Sequence, residues 1–546
     1  MRVSELFVKC LENEGVEYIF GVPGEENIDF LDALKESSIT FITTRHETGA
    51  AFMAGHYGKL TGKPGVCLTT LGPGATNMVT GVADANMDLA PLIAITGQAS
   101  MDRQHKLSHQ YYDLVSMFKP VTKWNASIRD KDIVPEVVRK AFQQATSEKP
   151  GAVHIELPED IAAMDVDGEP LEAMANELLP RAVEQTVQNA ASLINDAKRP
   201  IVLVGNGVTR MKASEALQRF VEKLNVPFTS TFMGKGAITW EHPLNLQTTG
   251  LQDKDHIACG IDQADLIITV GYDFTEYPPS AWNPDGSKPI VHIDTQAVEV
   301  DAHYPMKVSL IGDIEENLSQ LTEKVEQREA MDEEYQNLRE KLMADLHEKE
   351  DDESYPMKPQ RILADLREIL SDDDILISDV GAHKMWIARH YHSVKPNTCL
   401  ISNGFASMGI AMPGAIGAKI AEPEKRVVAV AGDGGFLMTV QELETMVRLN
   451  LPIVVIVWTD NRYGLIEWKQ MNEFDRSANI TFSNPDLVQL AKSFGAEGLK
   501  VLRTEEFKPI VERALEMNKP VVIDCPVDYK ENIRMTERLG NIICSN

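Results

Sequence analysis

Short, wholly apolar runs recur along this chain, and each leads through a turn into a longer stretch of helical period. The clearest are "GVCLTTLGPG", "APLIAITG" and "GAVHIELP"; then "RPIVLVGNG", "ADLIITVGYD" and "KPIVHID"; then "DILISDVG", "RVVAVAGDGG", "LPIVVIVWTDN" and "KPVVIDCPVD". A strand with no polar face has to be covered on both sides. A parallel sheet held between its crossover helices does this. The pattern predicts an α/β protein of doubly wound parallel sheets. The runs fall into three groups, and 546 residues is enough chain for three domains.

A polar stretch separates the first group from the second. A charged, glycine-poor stretch, "EKVEQREAMDEEYQNLREKLMADLHEKEDDESYPMKP", separates the second from the third. We read domains over 1–165, 185–330 and 359–530, with 331–358 as an exposed charged helix and linker. The first and third groups share one type, strand, glycine-rich turn and helix.

The net charge of −29 speaks against nucleic acid or an anionic membrane as partner, since both call for a basic surface. The six cysteines, at 10, 67, 259, 399, 525 and 544, lie far apart and form no CxxC pair. That predicts no zinc site, no disulfide framework and reduced thiols in a cytoplasmic protein. The opening "MRVSELFVKCLENEGVEYIF" has the period of an amphipathic helix, not the continuous core of a signal peptide. No apolar run reaches the roughly 18 residues of a membrane span.

One strand signal carries chemistry. "RVVAVA" stops at Gly432-Asp433-Gly434-Gly435, and a helical pattern then begins. Backbone N–H groups at a helix start favour a phosphate. A carboxylate among them would repel that phosphate unless a cation lay between. Magnesium suits, because it prefers oxygen ligands and bridges carboxylates to a diphosphate. A second carboxylate, Asp460, ends "VVIVWTDNRYG" 27 positions after Asp433. In a parallel sheet the two strand ends can meet at one crevice. Gly-Asp-Gly by itself is usually only a turn; it is the pair at this spacing that points to a metal.

These residues resemble the signature of thiamine diphosphate enzymes, and the likeness to the acetolactate synthase group covers nearly the whole chain. "FGVPG", "RHETGAAFMAGHYGKLTGKPGVCLTTLGPGATN", "SHQYYDLVSMFKPVTKW" and "GAVHIELPEDI" resemble that group's first domain. "DVGAHKMW", "ISNGFASMGIAMPGAIGA", "GDGGFLMTVQELET" and "TDNRYGLIEW" resemble its third. The resemblance implies a pyrimidine-binding, a central and a diphosphate-binding domain. It also implies thiamine diphosphate and Mg2+ as cofactors, and a homodimer or homotetramer with each active site between subunits.

The resemblance also implies roles for single residues. Glu47 matches the glutamate that hydrogen-bonds the aminopyrimidine N1′ of the cofactor and favours the tautomer that takes the thiazolium C2 proton. Glu25 and Gln110 join it as catalytic candidates. Asp433 and Asp460 match the magnesium carboxylates, and Arg462 the residue that adds its backbone carbonyl. His383 matches a diphosphate-contacting histidine, while Ala382 stands where the biosynthetic synthases have Gln. Met408 matches the apolar residue that bends the cofactor. Gly381, Ala406, Gly434, Gly435 and Tyr463 complete the cofactor set, and Trp468 and Lys469 are candidates at the substrate.

Two features divide the possible reactions. "TVGYDFTEYPPSAWNPDG" stands where biosynthetic synthases carry an "RFDDR"-like stretch for FAD, so FAD is not expected and the likeness is to the catabolic type. That type decarboxylates pyruvate and joins the product to a second 2-oxo acid. Glu25, directly after Pro23-Gly24, stands where pyruvate decarboxylases carry an Asp that handles protons. It is either a helix-start acid or the mark of a 2-oxo acid decarboxylase that releases an aldehyde. A non-catalytic homologue is a third reading, and Glu47 with both metal carboxylates speaks against it.

Overall fold

The computed structural model describes residues 1–173, 178–250, 256–532 and 535. Three six-stranded sheets follow one another along the chain, and all their strand pairs are parallel. The first holds Tyr18–Gly21 (β1), Thr40–Thr43 (β2), Gly65–Thr69 (β3), Leu92–Gln98 (β4), Trp124–Ser127 (β5) and Ala152–Pro158 (β6). The second holds Pro200–Val204 (β7), Phe228–Ser230 (β8), Asn245–Thr248 (β9), Leu266–Val270 (β10), Ile290–Asp294 (β11) and Met306–Ile311 (β12). The third holds Ile375–Ser378 (β13), Cys399–Ile401 (β14), Val427–Gly432 (β15), Ile453–Thr459 (β16), Glu497–Lys500 (β17) and Val521–Pro526 (β18).

Strand order shows the kinship of the outer sheets. The first runs β2-β1-β3-β4-β6-β5 and the third β14-β13-β15-β16-β18-β17, the same winding; the second runs β12-β11-β10-β7-β8-β9. A reversal of the winding falls between β1 and β3 in the first sheet, β7 and β10 in the second, and β13 and β15 in the third. A crevice opens beyond the strand ends at such a point.

The third sheet is apolar on both faces. Leu376, Val428, Val430 and Ile456 face one core; Ile377, Ala429, Ala431 and Val455 face another, which is shared with the first domain. The shared core is built on two helices, Glu47–Thr61 and Ala411–Ala421, that pack on each other. A Cβ at Gly417 would fall 2.1 Å from Met53 O, and one at Gly414 2.7 Å from the His56 ring. Glycine at both positions lets the helices approach this closely, which fixes the first domain against the third.

Two expectations are corrected. The segment read as an exposed charged helix turns a face inward: in helix Glu333–Leu346 the residues Tyr335, Leu338, Leu342 and Leu346 are buried. The Tyr335 hydroxyl reaches Gly260 O at 3.2 Å and Arg199 O at 3.3 Å. Its apolar stripe at three- and four-residue spacing was masked by the charges between. Cys259 is disulfide-bonded, against the expectation of reduced thiols; Cys10, Cys67, Cys399 and Cys525 are free, and Cys544 lies outside the described residues. The opening helix is present as Val3–Asn13. Among the described residues no helix is long and apolar enough to cross a membrane.

Candidate active site

β13 and β15 end side by side at the reversal point of the third sheet. The chain leaves β13 through Asp379-Val380-Gly381 into helix Ala382–His390, and leaves β15 directly into helix Asp433–Met438. β16, on the other side of β15, ends just before Asp460. The result is a cleft of about 230 Å³. Gly381, Ala382, His383, Ala406, Met408, Asp433, Gly434, Gly435 and Tyr463 all line it, as do Asp460 and Arg462.

Asp433 is 1% exposed and organises the turn after β16. Its Oδ2 accepts the backbone N–H of Asn461 at 2.8 Å and of Asp460 at 3.2 Å, and the Asn484 amide at 2.7 Å; its Oδ1 accepts the Gly434 N–H at 2.9 Å. Burial raises its pKa. Burial and the charge of Asp433 push Asp460 up to about 7. Two carboxyl groups that resist ionising together are what a divalent cation relieves.

His383 is 2% exposed, and burial pushes its imidazole down to about 3, so it is neutral. Its Nε2 has no hydrogen-bond partner among the described residues. Glycine makes room for the ring, since a Cβ at Gly381 would meet His383 Cε1 at 2.8 Å and one at Gly432 would meet it at 3.2 Å. The ring's other nitrogen is held by the Asp379 backbone, which leaves Nε2 the acceptor of the neutral ring; it is the start of helix Ala382–His390 beside it that fits a bound anion such as a diphosphate.

Asp379 belongs with these residues and was missed by sequence reasoning. It is 1% exposed, and its Oδ1 accepts the N–H of Val380 at 2.6 Å and of Gly409 at 2.8 Å. It thereby ties the Ala406–Met408 loop to the end of β13. Ala406 itself holds a left-handed φ of 58°, a conformation costing an L-residue roughly 1–2 kcal/mol. Asp379 closes the "DILISD" run, and a carboxylate at a buried strand end was the available signal. Asn484 sits in a loop with no pattern around it and left none.

The remaining candidates lie outside this cleft. Glu47 opens its helix at 9% exposure, and its Oε2 accepts the Asn77 amide at 3.0 Å. Glu25 is exposed in the single turn Glu25–Asn27; its neighbour Glu26 is the buried one, accepting the Thr70 hydroxyl at 2.5 Å. Gln110 is exposed with φ 57°, its carbonyl over Gly72. Trp468 is 2% exposed and is the one buried residue of helix Gly464–Phe474, which it anchors in the core. Lys469 follows it at the surface. Within this chain neither is a lining residue of the cleft, because the helix turns the indole to the core.

The central sheet's reversal point is filled by the chain itself. Gly205 N donates to Val270 O at 2.9 Å and Gly207 N to Gly271 O at 2.8 Å. Glu276 Oε1 accepts the Asn206 N–H at 3.0 Å, at the start of helix Asn206–Arg210. Lys149, from the first domain, pairs with Asp273 at 2.7 Å and Asp294 at 3.1 Å.

Three family models for thiamine pyrophosphate enzymes match in order. They are the N-terminal TPP binding domain over residues 1–117, the central domain over 187–321 and the C-terminal TPP binding domain over 379–525. Acetolactate synthase of Bacillus subtilis is 36% identical over 98% of this chain and 94% of its own length. The chain belongs to the acetolactate synthase family of thiamine pyrophosphate enzymes. The catabolic acetolactate synthase of Raoultella terrigena is also 36% identical, over 97% of this chain and 95% of that protein. A probable acetolactate synthase large subunit of Methanocaldococcus jannaschii is 34% identical over 100% and 95%. In this member of the synthase family all the lining of the Asp433 cleft but Tyr529 lies within the C-terminal match, while Glu25, Glu47 and Gln110 lie within the N-terminal one.

Proposed function

We propose that the chain holds thiamine diphosphate and magnesium in the Asp433 cleft, decarboxylates pyruvate and joins the two-carbon remnant to a second 2-oxo acid. With pyruvate as acceptor the product is 2-acetolactate. The observation that carries this reading is the meeting of Asp433 and Asp460 beside the start of helix Ala382–His390 at one strand-end crevice. The cofactor, when bound, supplies the carbon nucleophile. The two carboxylates and the Arg462 carbonyl hold the metal, the helix start beside His383 holds the diphosphate, and Met408 supports the ring system.

Glu47 is not part of this cleft in its own chain, so the reading calls for Glu47 of a second copy. The apolar lining supports that: Tyr463 and Ile466, which line the cleft, are exposed, as is Phe405 next to the lining residue Ala406. A homodimer completes two sites, and a homotetramer pairs such dimers. Magnesium dependence and this assembly are parts of one proposal. A cytoplasmic setting accords with the four free cysteines, and the Cys259 disulfide is the feature that departs from it.

FAD independence is supported by the central domain. A dinucleotide would place its phosphates at the helix start that the Glu276 carboxyl already caps. The decarboxylase alternative rests on Glu25 alone, while the relatives named above are acetolactate synthases, so the synthase reading stands ahead. The test is CO2 release from pyruvate by the purified full chain. It should require both thiamine diphosphate and magnesium and be lost on chelation. Release without either addition, or none from any 2-oxo acid with both, would reject the proposal.

A further inference from the structure

Glu442, in the stretch that follows the GDGG turn, is 0% exposed and opens helix Glu442–Arg448. Its carboxylate reaches into the first domain. Oε1 accepts the backbone N–H of His46 at 2.9 Å and of Arg45 at 3.1 Å, while Oε2 accepts the Thr445 hydroxyl at 2.7 Å. These amides belong to the turn that delivers Glu47 to the start of its helix, where N–H groups carry the positive end of the dipole. Arg448, one turn and more along the same helix, donates to Thr43 O. The segment from Thr43 to Glu47 is therefore gripped at two points by one helix of the third domain. Gly49 is part of the fit, because a Cβ there would fall 2.7 Å from Glu442 Oε1.

We propose that Glu442 is a positioning residue for the cofactor chemistry: by fixing the Arg45 and His46 amides it fixes the backbone from which Glu47 reaches the cofactor's aminopyrimidine. This rests on the function proposed above, in which Glu47 assists loss of the C2 proton. Asn77 holds the Glu47 carboxylate from one side, and Glu442 sets where its backbone starts. Both are needed for an acid to sit within hydrogen-bond reach of a fixed ring. The alternative role is purely structural, an interdomain tie whose loss would lower stability and leave the chemistry alone.

Two variants separate these roles. Glu442→Asp withdraws the carboxylate by one methylene, while Glu442→Gln keeps the reach and one acceptor for the amides. Deuterium uptake of the apo full chain reads the clamp directly. In Glu442→Asp the amides of the Arg45–Glu47 segment should exchange about 10- to 100-fold faster, the effect of losing bonds to a charged acceptor. Proton exchange at C2 of bound thiamine diphosphate should slow by about tenfold or more, with cofactor affinity within about twofold of wild type. Glu442→Gln should restore both rates to near wild type. Should Glu442→Asp fail to fold, Gly49→Ala, which displaces the carboxylate by contact, is expected to give the same two changes. Wild-type C2 exchange in the folded Asp or Ala variant, where Glu47→Gln abolishes it, would overturn the inference and leave the functional reading intact. Wild-type C2 exchange in Glu47→Gln would bring down the functional reading, and this inference with it.

Discussion

The Asp433 carboxylate accepts the backbone N–H of Asn461 at 2.8 Å, so the acid at the end of β15 fixes the turn that carries Asp460 and Arg462. One side chain thus supplies a candidate metal ligand and shapes the peptide that supplies the others. Replacing it should remove both functions together. Asp433→Ala is expected to abolish magnesium-dependent retention of thiamine diphosphate, and Asp433→Asn to weaken it strongly, since the amide keeps one acceptor and loses the charge. Calorimetric titration of the cofactor with and without magnesium measures this. Unchanged affinity in the Ala variant would reject the metal bridge.

Glu47→Gln should keep the fold and the cofactor, because the Asn77 contact survives with an amide in place of the acid. Turnover should fall by about 10²–10⁴-fold, the usual worth of a positioned acid or base. Near-normal turnover in this variant would contradict the role assigned to Glu47.

Glu276 offers a test by pH. Burial pushes its carboxyl from 4.5 up to about 7. Between those values the folded chain keeps a proton that the unfolded chain releases, so this group costs stability as pH rises through the window. Glu276→Gln removes that cost while preserving the contact with Asn206. The variant should match wild type in thermal unfolding at about pH 5 and exceed it at about pH 8, by on the order of 3 kcal/mol. An equal difference at both pH values would show that Glu276 does not titrate in that range.

The same carboxyl bears on flavin. The purified chain should show no flavin absorbance, and added FAD should not raise its activity. A stoichiometric bound flavin would mean that the Glu276 cap opens, and would place the chain with flavin-holding synthases.

Strands that carry a continuous apolar run were legible in the sequence; the partly exposed edge strands and the short β8, β9 and β14 were not, for a physical reason. β3, β4, β6, β7, β10, β11, β13, β15, β16 and β18 are buried on both faces and read as continuous apolar runs. β2, β5, β12 and β17 lie at sheet edges with partly exposed residues, so "TFIT" or "EGLK" carries no comparable signal. The cleft divides the same way. Asp433 and Asp460 were visible because each closes an apolar run. Asp379 also closes one, and without a partner at a telling spacing it passed as a strand end. Glu442 stood in plain sight inside a helical pattern. Nothing local could show that its carboxylate ends on amides 396 and 397 positions away. Trp468 is buried against the core of its own chain, an orientation a motif match does not carry.

The central claim is carboligation, and product analysis with pyruvate as sole substrate tests it most directly. The purified chain, supplied with thiamine diphosphate and magnesium, should convert two pyruvates into one 2-acetolactate and one CO2, with acetaldehyde a minor product. Acetaldehyde and CO2 in equal amounts, one of each per pyruvate consumed, would contradict the account and make the protein a decarboxylase.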